Sequence, residues 1–477
     1  MSTFSNSGAH ILVCPFPASG HIIPLLDLTH QLLARDLTIT VLVTPKSHPL
    51  LEPLLSIHPS SLHPLVLSIP DPPLPSELGI LSIMRAMGEL HNPIFHWFQS
   101  HPSPPVAIIS DFFLGWTLHL ANQLSVPRVV FSPSGAFAIS IAHSLWSDLP
   151  KNGDPDEDEN FLVSFPKLPN SPVYPWWQLS HVYRNAKEGD PDWEYYKGIM
   201  LGIMASWGLV FNSFTELERV YLDHIKNELG HDRVWTVGPL LPRDNDLEGS
   251  TERGGSNTVP SHEVLTWLDQ RSDHSVVYVC FGSRHVLTGK QMEVLSAALE
   301  HSGVAFIWCV KGPREGQVAS DYGVVPDGYE ERVEGRGFII KGWAPQVAIL
   351  RHRSVGAFVT HCGWNSVLEG LSAGVVMLTW PVSADQFTNA KLLVDQLGVG
   401  VRVGEGTQVM PDSDELARLL GESVGESRPE RGRARELSIE AWGAVKGGSS
   451  ERDLDELVKR LSELKSSRGV ITSPAGE

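Results

Sequence analysis

The 477-residue chain is poor in positive charge and has no long apolar run. Its 37 Lys and Arg residues stand against 55 Asp and Glu residues, which gives a formal net charge of −18. Nucleic acids and anionic membranes are bound by clustered cations, so this balance argues against either as a partner. No stretch reaches the 18 apolar residues of a membrane-spanning helix, so no membrane insertion is predicted.

Cysteine is also scarce, and its four positions form no Cys-x-x-Cys pair: Cys14, Cys280, Cys309 and Cys362. Such spacing predicts reduced thiols rather than a disulfide framework. The N-terminal segment has no basic start followed by an apolar run, and the chain contains no Asn-x-Ser/Thr sequon. We expect a cytoplasmic protein that acts as a monomer.

Patterns for metals and for dinucleotides are absent as well. His361 and Cys362 adjoin without partners at zinc spacing. The acidic triplets within 154–158, 190–192 and 244–246 follow no clear strand, and in so acidic a chain they are interpreted as solvated loops. No Gly-x-Gly-x-x-Gly occurs, which argues against a dehydrogenase. We therefore expect neither a metal nor a cofactor.

Short β-branched runs alternate with helical patterns along both halves of the chain. The first half contains HILVCP, TITVLV, VAIIS and PRVVFS, and the second contains SVVYVCF, VAFIWCV, GAFVTH and VVMLTW. This alternation predicts an α/β fold, with parallel sheets covered by helices on both faces. The length predicts two domains.

The most informative stretch runs from Trp343 to Gln386. Trp343 offers a flat face for a pyrimidine, and such stacking contributes about 1–3 kcal/mol per base. A predicted strand, 354–360, passes through HCGWN into a predicted helix, 366–373, which suits a diphosphate. Helix capping accounts equally well for Asn365 and Ser366. One turn further along, Glu369 is placed to hold a ribose diol.

This stretch resembles the signature box of plant UDP-dependent glycosyltransferases, the family-1 inverting enzymes with the GT-B fold. The match holds at Trp343, Gln346, His361, Gly363, Trp364, Asn365, Ser366, Glu369, Pro381, Asp385 and Gln386. Val376 departs from the proline common in the family, at a packing position. The resemblance implies two Rossmann-like, doubly wound domains that face each other across a cleft.

The resemblance, with a polar and glycine-rich stretch near residue 250, implies a domain plan. We expect an acceptor-binding N-terminal domain (1–245), a linker (246–260) and a UDP-sugar-binding C-terminal domain (261–450). A final helix (451–467) is expected to pack back on the first domain. The last residues, 468–477, are predicted to be a disordered tail.

The resemblance also implies roles within the donor site, whose predicted members are Ser283, Trp343, Ala344, Gln346, His361, Trp364, Asn365, Ser366, Glu369, Asp385 and Gln386. The first part of the box, from Trp343 to Gln346, would bind uridine, and Glu369 would hold the ribose. The HCGWN turn and Ser283 would bind the diphosphate. The sugar would meet Trp364, Asp385 and Gln386.

Gln386 bears on the choice of donor sugar. An amide donates and accepts at adjacent equatorial hydroxyls, and family members that end the box in Gln usually use glucose. The predicted donor is UDP-glucose, with no cofactor beside it. UDP-galactose and UDP-rhamnose remain alternatives.

A second constellation pairs His21 with Asp111. Alone, a histidine at a helix start is most often structural, and Asp111 serves equally well as a helix cap. The SGHIIP context of His21 resembles the family's catalytic histidine, and Asp111 ends a strand at the equivalent edge. We therefore predict a His21 general base oriented by Asp111. An inverting attack would then give a β-glucoside, with C-glycoside formation as an alternative.

The predicted acceptor is a small, flavonoid-like phenolic. Its predicted contacts are Phe112, Phe113, Trp146 and Ile94, within an aromatic-rich first half that also holds Trp116, Trp176, Trp177, Trp193 and Tyr195. Packing of the hydrophobic core explains such aromatic residues equally well.

Two functions from other classes are alternatives to glycosyl transfer: a serine hydrolase and a non-catalytic UDP-sugar binder. Gly370, Ser372 and Gly374 form the Gly-x-Ser-x-Gly of serine hydrolases, which requires a strand before the serine and a helix after it. The order predicted here is the reverse, with a helix before Ser372 and a strand after it.

The other alternative is a non-catalytic UDP-sugar binder. The presence of both His21 and Asp111 argues against it.

Overall fold

The computed structural model describes residues 8–70, 79–150, 160–185, 187–242, 257–313, 321–408, 410–425 and 428–471. The chain divides into two compact units. The first comprises Met1–Leu240 with Ala444–Glu477, and the second comprises Leu241–Gly443. Most of the predicted linker, 246–260, lies outside the described residues.

The first unit is built on a seven-stranded parallel sheet. Its strands are β1 (His10–Cys14), β2 (Thr38–Val43), β3 (Leu62–Val66), β4 (Ala107–Asp111), β5 (Arg128–Ser132), β8 (Gly208–Phe211) and β9 (Val234–Thr236), in the order β3-β2-β1-β4-β5-β8-β9. Two short strands, β6 (Leu162–Ser164) and β7 (Val173–Pro175), pair antiparallel beside it.

Among the residues that the structure describes, nine helices accompany these strands. They are α1 (Ser19–Leu33), α2 (Glu52–Ile57), α3 (Gly79–Gly88), α4 (His91–Ser100), α5 (Trp116–Gln123), α6 (Ala136–Asp148), α7 (His181–Asn185), α8 (Pro191–Met204) and α9 (Thr215–Leu229). Short 3₁₀ helices cover His48–Leu51 and Trp176–Gln178.

The second unit repeats the same architecture with a six-stranded parallel sheet. Its strands are β10 (Val276–Cys280), β11 (Ala305–Val310), β12 (Gly337–Lys341), β13 (Val355–Thr360), β14 (Val376–Thr379) and β15 (Gly400–Arg402), in the order β12-β11-β10-β13-β14-β15. The helices are α10 (Ser261–Asp269), α11 (Gly289–His301), α12 (Tyr329–Arg332), α13 (Gln346–Arg351), α14 (Trp364–Ala373), α15 (Gln386–Lys391), α16 (Ser413–Ser423) and α17 (Pro429–Val445), with a π-helical turn over Leu392–Gln396.

Local sequence explains these elements. The central strands β1, β4, β5, β10 and β13 are buried over their whole length, as their continuous apolar runs predict for parallel strands covered on both faces. Helix α11 begins at a capping box in which Thr288 and Gln291 satisfy each other's backbone N–H groups. The predicted α/β fold with two Rossmann-like domains is confirmed.

Strand order places the functional segments. In each sheet the order reverses once, between β1 and β4 in the first unit and between β10 and β13 in the second. Loops at the carboxyl ends of two such strands diverge, and this opening is where doubly wound sheets bind ligands. His21 follows β1 and Asp111 ends β4, whereas Ser283 follows β10 and His361 follows β13. Each pair of segments therefore lies at a switch point of its own sheet.

The last helix, α18 (Ser449–Ile471), belongs to the first unit. Its Leu454, Leu457 and Leu461 join the hydrophobic core of that unit. The Asp453 carboxylate accepts hydrogen bonds from the backbone N–H and the hydroxyl of Thr236, at 2.7 and 2.9 Å. The helix continues four residues past the predicted end at 467, so the predicted tail begins inside it. Residues 472–477 lie outside the described part.

We expect Leu457→Ala to destabilise the first unit by about 2–5 kcal/mol, because it leaves a cavity at a side chain with no exposure. Urea unfolding followed by circular dichroism measures the loss. Val220→Ala, at a position 51% exposed in the same unit, is the control and should change little. Equal behaviour of the two variants would contradict the placement of the helix in the core.

Candidate active site

In the first unit, His21 and Asp111 are paired directly. His21 Nδ1 lies 2.8 Å from Asp111 Oδ2. The other oxygen of the carboxylate, Oδ1, accepts the N–H of Phe113 at 2.9 Å. Asp111 is fully buried, while the His21 side chain keeps 17% exposure. With its Nδ1 hydrogen directed at a carboxylate, the imidazole presents an Nε2 lone pair, which is the arrangement of a general base.

Three phenylalanines enclose the His21 ring. Phe113 stacks on it with centroids 4.7 Å apart, Phe112 lies tilted at 5.6 Å, and Phe16 meets it edge-on at 5.3 Å. Ring packing and the carboxylate together leave the imidazole a single orientation. Of the predicted acceptor contacts, Phe112 and Phe113 thus lie beside His21.

The two remaining predicted acceptor residues are buried. Ile94 is fully buried, and Trp146 packs against Trp193 and Tyr183 at 1% exposure. Of the wider aromatic set, Trp176 is also buried, whereas Trp116, Trp177 and Tyr195 are partly exposed. Core packing accounts for the buried ones, and an acceptor role for any of them stays a prediction.

A buried arginine on the neighbouring strand β5 bonds to Ser110, the residue before Asp111, and sequence reasoning missed it. Arg128 donates to Ser110 Oγ and Ser206 Oγ, each at 2.9 Å, and to the carbonyl of Gly202 at 3.1 Å. Burial lowers its pKa to about 10, and the negative charge of Asp111 opposes that shift. The guanidinium therefore stays protonated and fixes the strand that ends at Asp111. The only sequence signal was a cation that opens the apolar run PRVVFS.

In the second unit, Gln346 joins three side chains into one network. Its Nε2 donates to Glu369 Oε2 at 2.5 Å and to Ser366 Oγ at 3.1 Å. Its Oε1 accepts the hydroxyl of Tyr278 at 3.1 Å. Burial raises the pKa of Tyr278 well above its usual value, so the hydroxyl remains a donor. Tyr278 was also missed, because a tyrosine inside VVYVC looks like an ordinary core residue.

Trp343 precedes Gln346 by three residues along the chain and is partly exposed. Its carbonyl accepts from the N–H and the hydroxyl of Thr258, at 3.0 and 2.9 Å. The Lys311 ammonium lies 5.2 Å from the indole centroid. Ala344, which follows, is buried. The indole is thus held by its own backbone, and part of its surface stays accessible to a planar ligand.

Two glycines enclose His361. A Cβ on Gly282 or Gly363 would come within 2.4 or 2.5 Å of its Nε2, so both positions require glycine. Gly282 also has a φ of +75°, which disfavours other residues. Burial, helped by nearby His285, lowers the pKa of His361 to about 3, so the ring is neutral. Among the described residues, its Nδ1 has no hydrogen-bond partner.

The turn after His361 opens helix α14. Cys362 adopts a left-handed backbone with φ of +64°, and Gly363 is the N-cap residue, with no side chain to cap the helix. Asn365 and Ser366 occupy the second and third helical positions, so neither is the cap. Backbone N–H groups in a first turn have no partner within the helix, which makes this end suitable for an anion. Trp364 is buried, and Ser283 is partly exposed.

The sugar end of the predicted site is joined to the same turn. Gln386 Oε1 accepts the N–H groups of Val382 and Ser383, at 2.9 and 3.0 Å. Buried Asn389 donates through Nδ2 to Asp385 Oδ2 at 3.1 Å and to the carbonyl of Cys362 at 3.0 Å. One amide thus links Asp385 to the HCGWN turn. Asn389 lies one helical turn past Asp385, a spacing that the sequence contained and that the prediction did not use.

The described residues contain no group of three or more His, Cys, Asp or Glu side chains arranged to hold a metal ion. Independence from a metal stays a prediction. Of the acidic triplets, 190–192 forms the start of α8, and the other two lie outside the described residues. Within the part of the chain that the structure covers, no helix is long and apolar enough to cross a bilayer.

The serine of the hydrolase-like motif lies in a helix. Ser372 is buried near the end of α14, and strand β14 follows after Gly374, a left-handed C-cap. A nucleophile elbow needs the opposite order of strand and helix, so this geometry excludes that role for Ser372.

Two doubly wound parallel sheets are the architecture of GT-B glycosyltransferases. The second unit adds the first turn of α14 and the partly exposed indole of Trp343, which suit the nucleotide-sugar that these enzymes use. A family model for UDP-glucoronosyl and UDP-glucosyl transferases matches residues 248–419. UDP-glycosyltransferase 89B2 of Stevia rebaudiana is 55% identical, over 96% of this chain and 98% of its own length. Flavonol 3-O-glucosyltransferase UGT89B1 of Arabidopsis thaliana is 50% identical, over 95% and 96%.

Solved structures agree with these relatives. UGT89C1 of Arabidopsis thaliana, in complex with UDP-L-rhamnose, superposes with a TM-score of 0.79 at 38% identity, covering 96% of this chain and all of that one. The chain belongs to the plant family-1 UDP-glycosyltransferases, and it is an enzyme of glycosyl transfer.

The neutral state of His361 leads to a pH prediction. Between about pH 5 and pH 8, the UDP dissociation constants of the native protein and of His361→Gln should change in parallel, because the imidazole stays uncharged throughout. Protonation of UDP itself affects its binding to both proteins equally. The ratio of the two dissociation constants, measured by calorimetry, should therefore not change with pH. A ratio that changes more than about threefold near the ordinary histidine pKa of 6.5 would show that His361 gains a proton.

Proposed function

We propose that this enzyme transfers glucose from UDP-glucose to a flavonoid-like phenolic with inversion, giving a β-glucoside. The observation that carries the catalytic part is the 2.8 Å contact between His21 and buried Asp111. A relative that is 50% identical is a flavonol 3-O-glucosyltransferase, which supports a phenolic acceptor and a glucose donor. The aromatic rings beside His21 would suit a planar acceptor.

In the proposed mechanism, His21 Nε2 removes the proton from the acceptor hydroxyl, and Asp111 stabilises the imidazolium that forms. The oxygen attacks the anomeric carbon while the bond to UDP breaks on the opposite side, so the α linkage becomes β. General-base catalysis of this kind contributes about 10²–10⁴-fold. The proton stays on His21 until it is released to solvent.

The second unit would stabilise the leaving group. The first turn of α14, at Asn365 and Ser366, would stabilise the negative charge that develops on UDP. Neutral His361 and Ser283 would act as further hydrogen-bond donors. Uracil would stack on Trp343, and Glu369, held by Gln346, would accept the ribose hydroxyls.

The donor sugar has a specific alternative. The related UGT89C1 structure was solved with UDP-L-rhamnose, so rhamnose is the second candidate, ahead of galactose. Gln386 already uses Oε1 on two backbone N–H groups, and its Nε2 donates to Ser383 Oγ at 3.5 Å, which leaves one Nε2 hydrogen to contact a sugar. Assays with a flavonol and each UDP-sugar decide the donor, and nuclear magnetic resonance of the product separates an O-glucoside from a C-glucoside. The monomeric state and cytoplasmic location remain predictions.

We expect His21→Ala to reduce transfer by at least about 10²-fold, because no other group of the pair can accept the proton. UDP affinity, measured by calorimetry, should stay within about twofold of the native value. His30→Ala, on the same helix, serves as the matched control and should keep its turnover. Retained turnover in His21→Ala would remove His21 from the mechanism, and UDP binding without turnover in the native protein would favour the non-catalytic binder.

Removal of the indole tests the nucleotide site. Trp343→Ala should weaken UDP binding by about 1–3 kcal/mol, the contribution of one stacked base. Trp267→Ala is the matched control, because this tryptophan of the same unit is also partly exposed and contacts a cation, Arg271. The same affinity in both variants would mean that Trp343 has only a packing role.

A further inference from the structure

Two cysteines of the second unit lie side by side. Cys280 ends β10, and its partner in the register of the neighbouring parallel strand β11 is Cys309. Neighbouring strands are about 4.7–4.9 Å apart, which falls inside the Cα separation of about 4.4–6.8 Å that a disulfide spans. Register partners on neighbouring parallel strands project to the same face of the sheet, so the two side chains adjoin.

These two thiols differ from the other two cysteines of the chain. Cys280 and Cys309 are each 7% exposed, whereas Cys14 and Cys362 are fully buried. Burial raises the pKa of Cys14 to about 12. The neighbouring Cys309 side chain lowers the pKa of Cys280 while burial opposes the shift, and the N–H of Gly282 and the charge of Lys311 add to the lowering. Cys280 is therefore the thiol most easily converted to the reactive thiolate.

Both thiols contact the residues that hold the proposed uridine site. Cys309 Sγ donates to the carbonyl of Gly342 at 3.2 Å, one residue before Trp343. Cys280 lies two residues after Tyr278 on β10, so its side chain projects to the same face of the strand as the tyrosine, whose hydroxyl donates to Gln346. The pair thus connects to the indole on one side and to the Gln346–Glu369 network on the other.

We propose that Cys280 and Cys309 are a modification site, a dithiol that peroxides oxidise to a disulfide, and that this oxidation weakens nucleotide binding. The consequence for binding rests on the proposed donor site. The Cys280 thiolate attacks one peroxide oxygen, forming a sulfenic acid and, after protonation, water. The Cys309 sulfur then attacks the Cys280 sulfur, and the hydroxyl leaves as a second water. Two thiols are oxidised, and one hydrogen peroxide is reduced to two waters.

Formation of the S–S bond changes the site in two places. Cys309 loses the hydrogen that it donates to Gly342, so the carbonyl next to Trp343 loses a partner. The Cys280 sulfur is drawn toward Cys309, which changes the packing on the face of β10 that also carries Tyr278, the donor that orients Gln346. The loss of one such contact corresponds to a fall in UDP affinity of about tenfold. A reductant should reverse it, because thiol exchange attacks disulfides that remain accessible.

The test compares each protein with itself before and after hydrogen peroxide, using the full chain. Peptide mapping by mass spectrometry measures the bond between Cys280 and Cys309, and calorimetry measures UDP affinity. We expect a mapped disulfide and an affinity about tenfold lower, with both changes reversed by dithiothreitol. Cys280→Ser and Cys309→Ser should lose this response, whereas Cys14→Ala should keep it.

Several results would overturn the proposal. One is that peroxide oxidises other residues of the native protein while Cys280 and Cys309 remain unbridged. Another is a disulfide formed in full with UDP affinity unchanged. A loss of affinity that persists in both serine variants would place the oxidation elsewhere. If the reduced native protein fails to bind UDP, the proposed donor site fails, while the mapped disulfide still decides whether the dithiol exists.

Discussion

The reversal of strand order in each parallel sheet is the constraint on which the rest of the structure depends. A right-handed crossover from a central strand sends successive helices to opposite faces of the sheet, and the two loops at the switch point separate. In the first unit this brings the residues after β1 beside the end of β4, and so pairs His21 with Asp111. In the second unit it brings the glycine turn after β10 beside the turn after β13, and so encloses His361.

Local geometry rather than net charge makes the second site suitable for an anion. The chain carries a formal charge of −18, and His361 is neutral because it is buried. The site can bind a diphosphate through the backbone N–H groups in the first turn of α14, which follows the N-cap Gly363. Its other hydrogen-bond donors are held in fixed positions by their neighbours. Hydrogen bonds from such preorganised groups require little rearrangement when charge develops, which suits a leaving nucleotide.

Much of this architecture could be predicted from the sequence, because its signals are local. Continuous apolar runs marked the central strands, and the glycine-containing turn marked the strand-to-helix passage near residue 363. The helix predicted over 366–373 begins two residues earlier, at Trp364, because Gly363 rather than Asn365 is its N-cap. The C-terminal helix was predicted within a few residues of its start, although its end was placed too early.

The residues that sequence reasoning missed act through partners far along the chain. Arg128 bonds to Ser206, Tyr278 to Gln346, and Asn389 to Cys362, and no periodicity of the sequence joins these positions. Each is a buried polar group whose cost of desolvation is offset by hydrogen bonds that only the folded sheet supplies. Trp146 and Ile94 pose the opposite problem: their apolar character fits a ligand contact or a core equally well, and the structure buries both, so their acceptor role stays a prediction.

The central claim is that the second unit holds a uridine diphosphate at the switch point of its sheet. A crystal structure of the reduced protein soaked with UDP tests it most directly. The account predicts uracil stacked on Trp343 and phosphate oxygens within about 2.7–3.2 Å of backbone N–H groups at the start of α14. A nucleotide bound elsewhere, or this turn empty at saturating UDP, would contradict it.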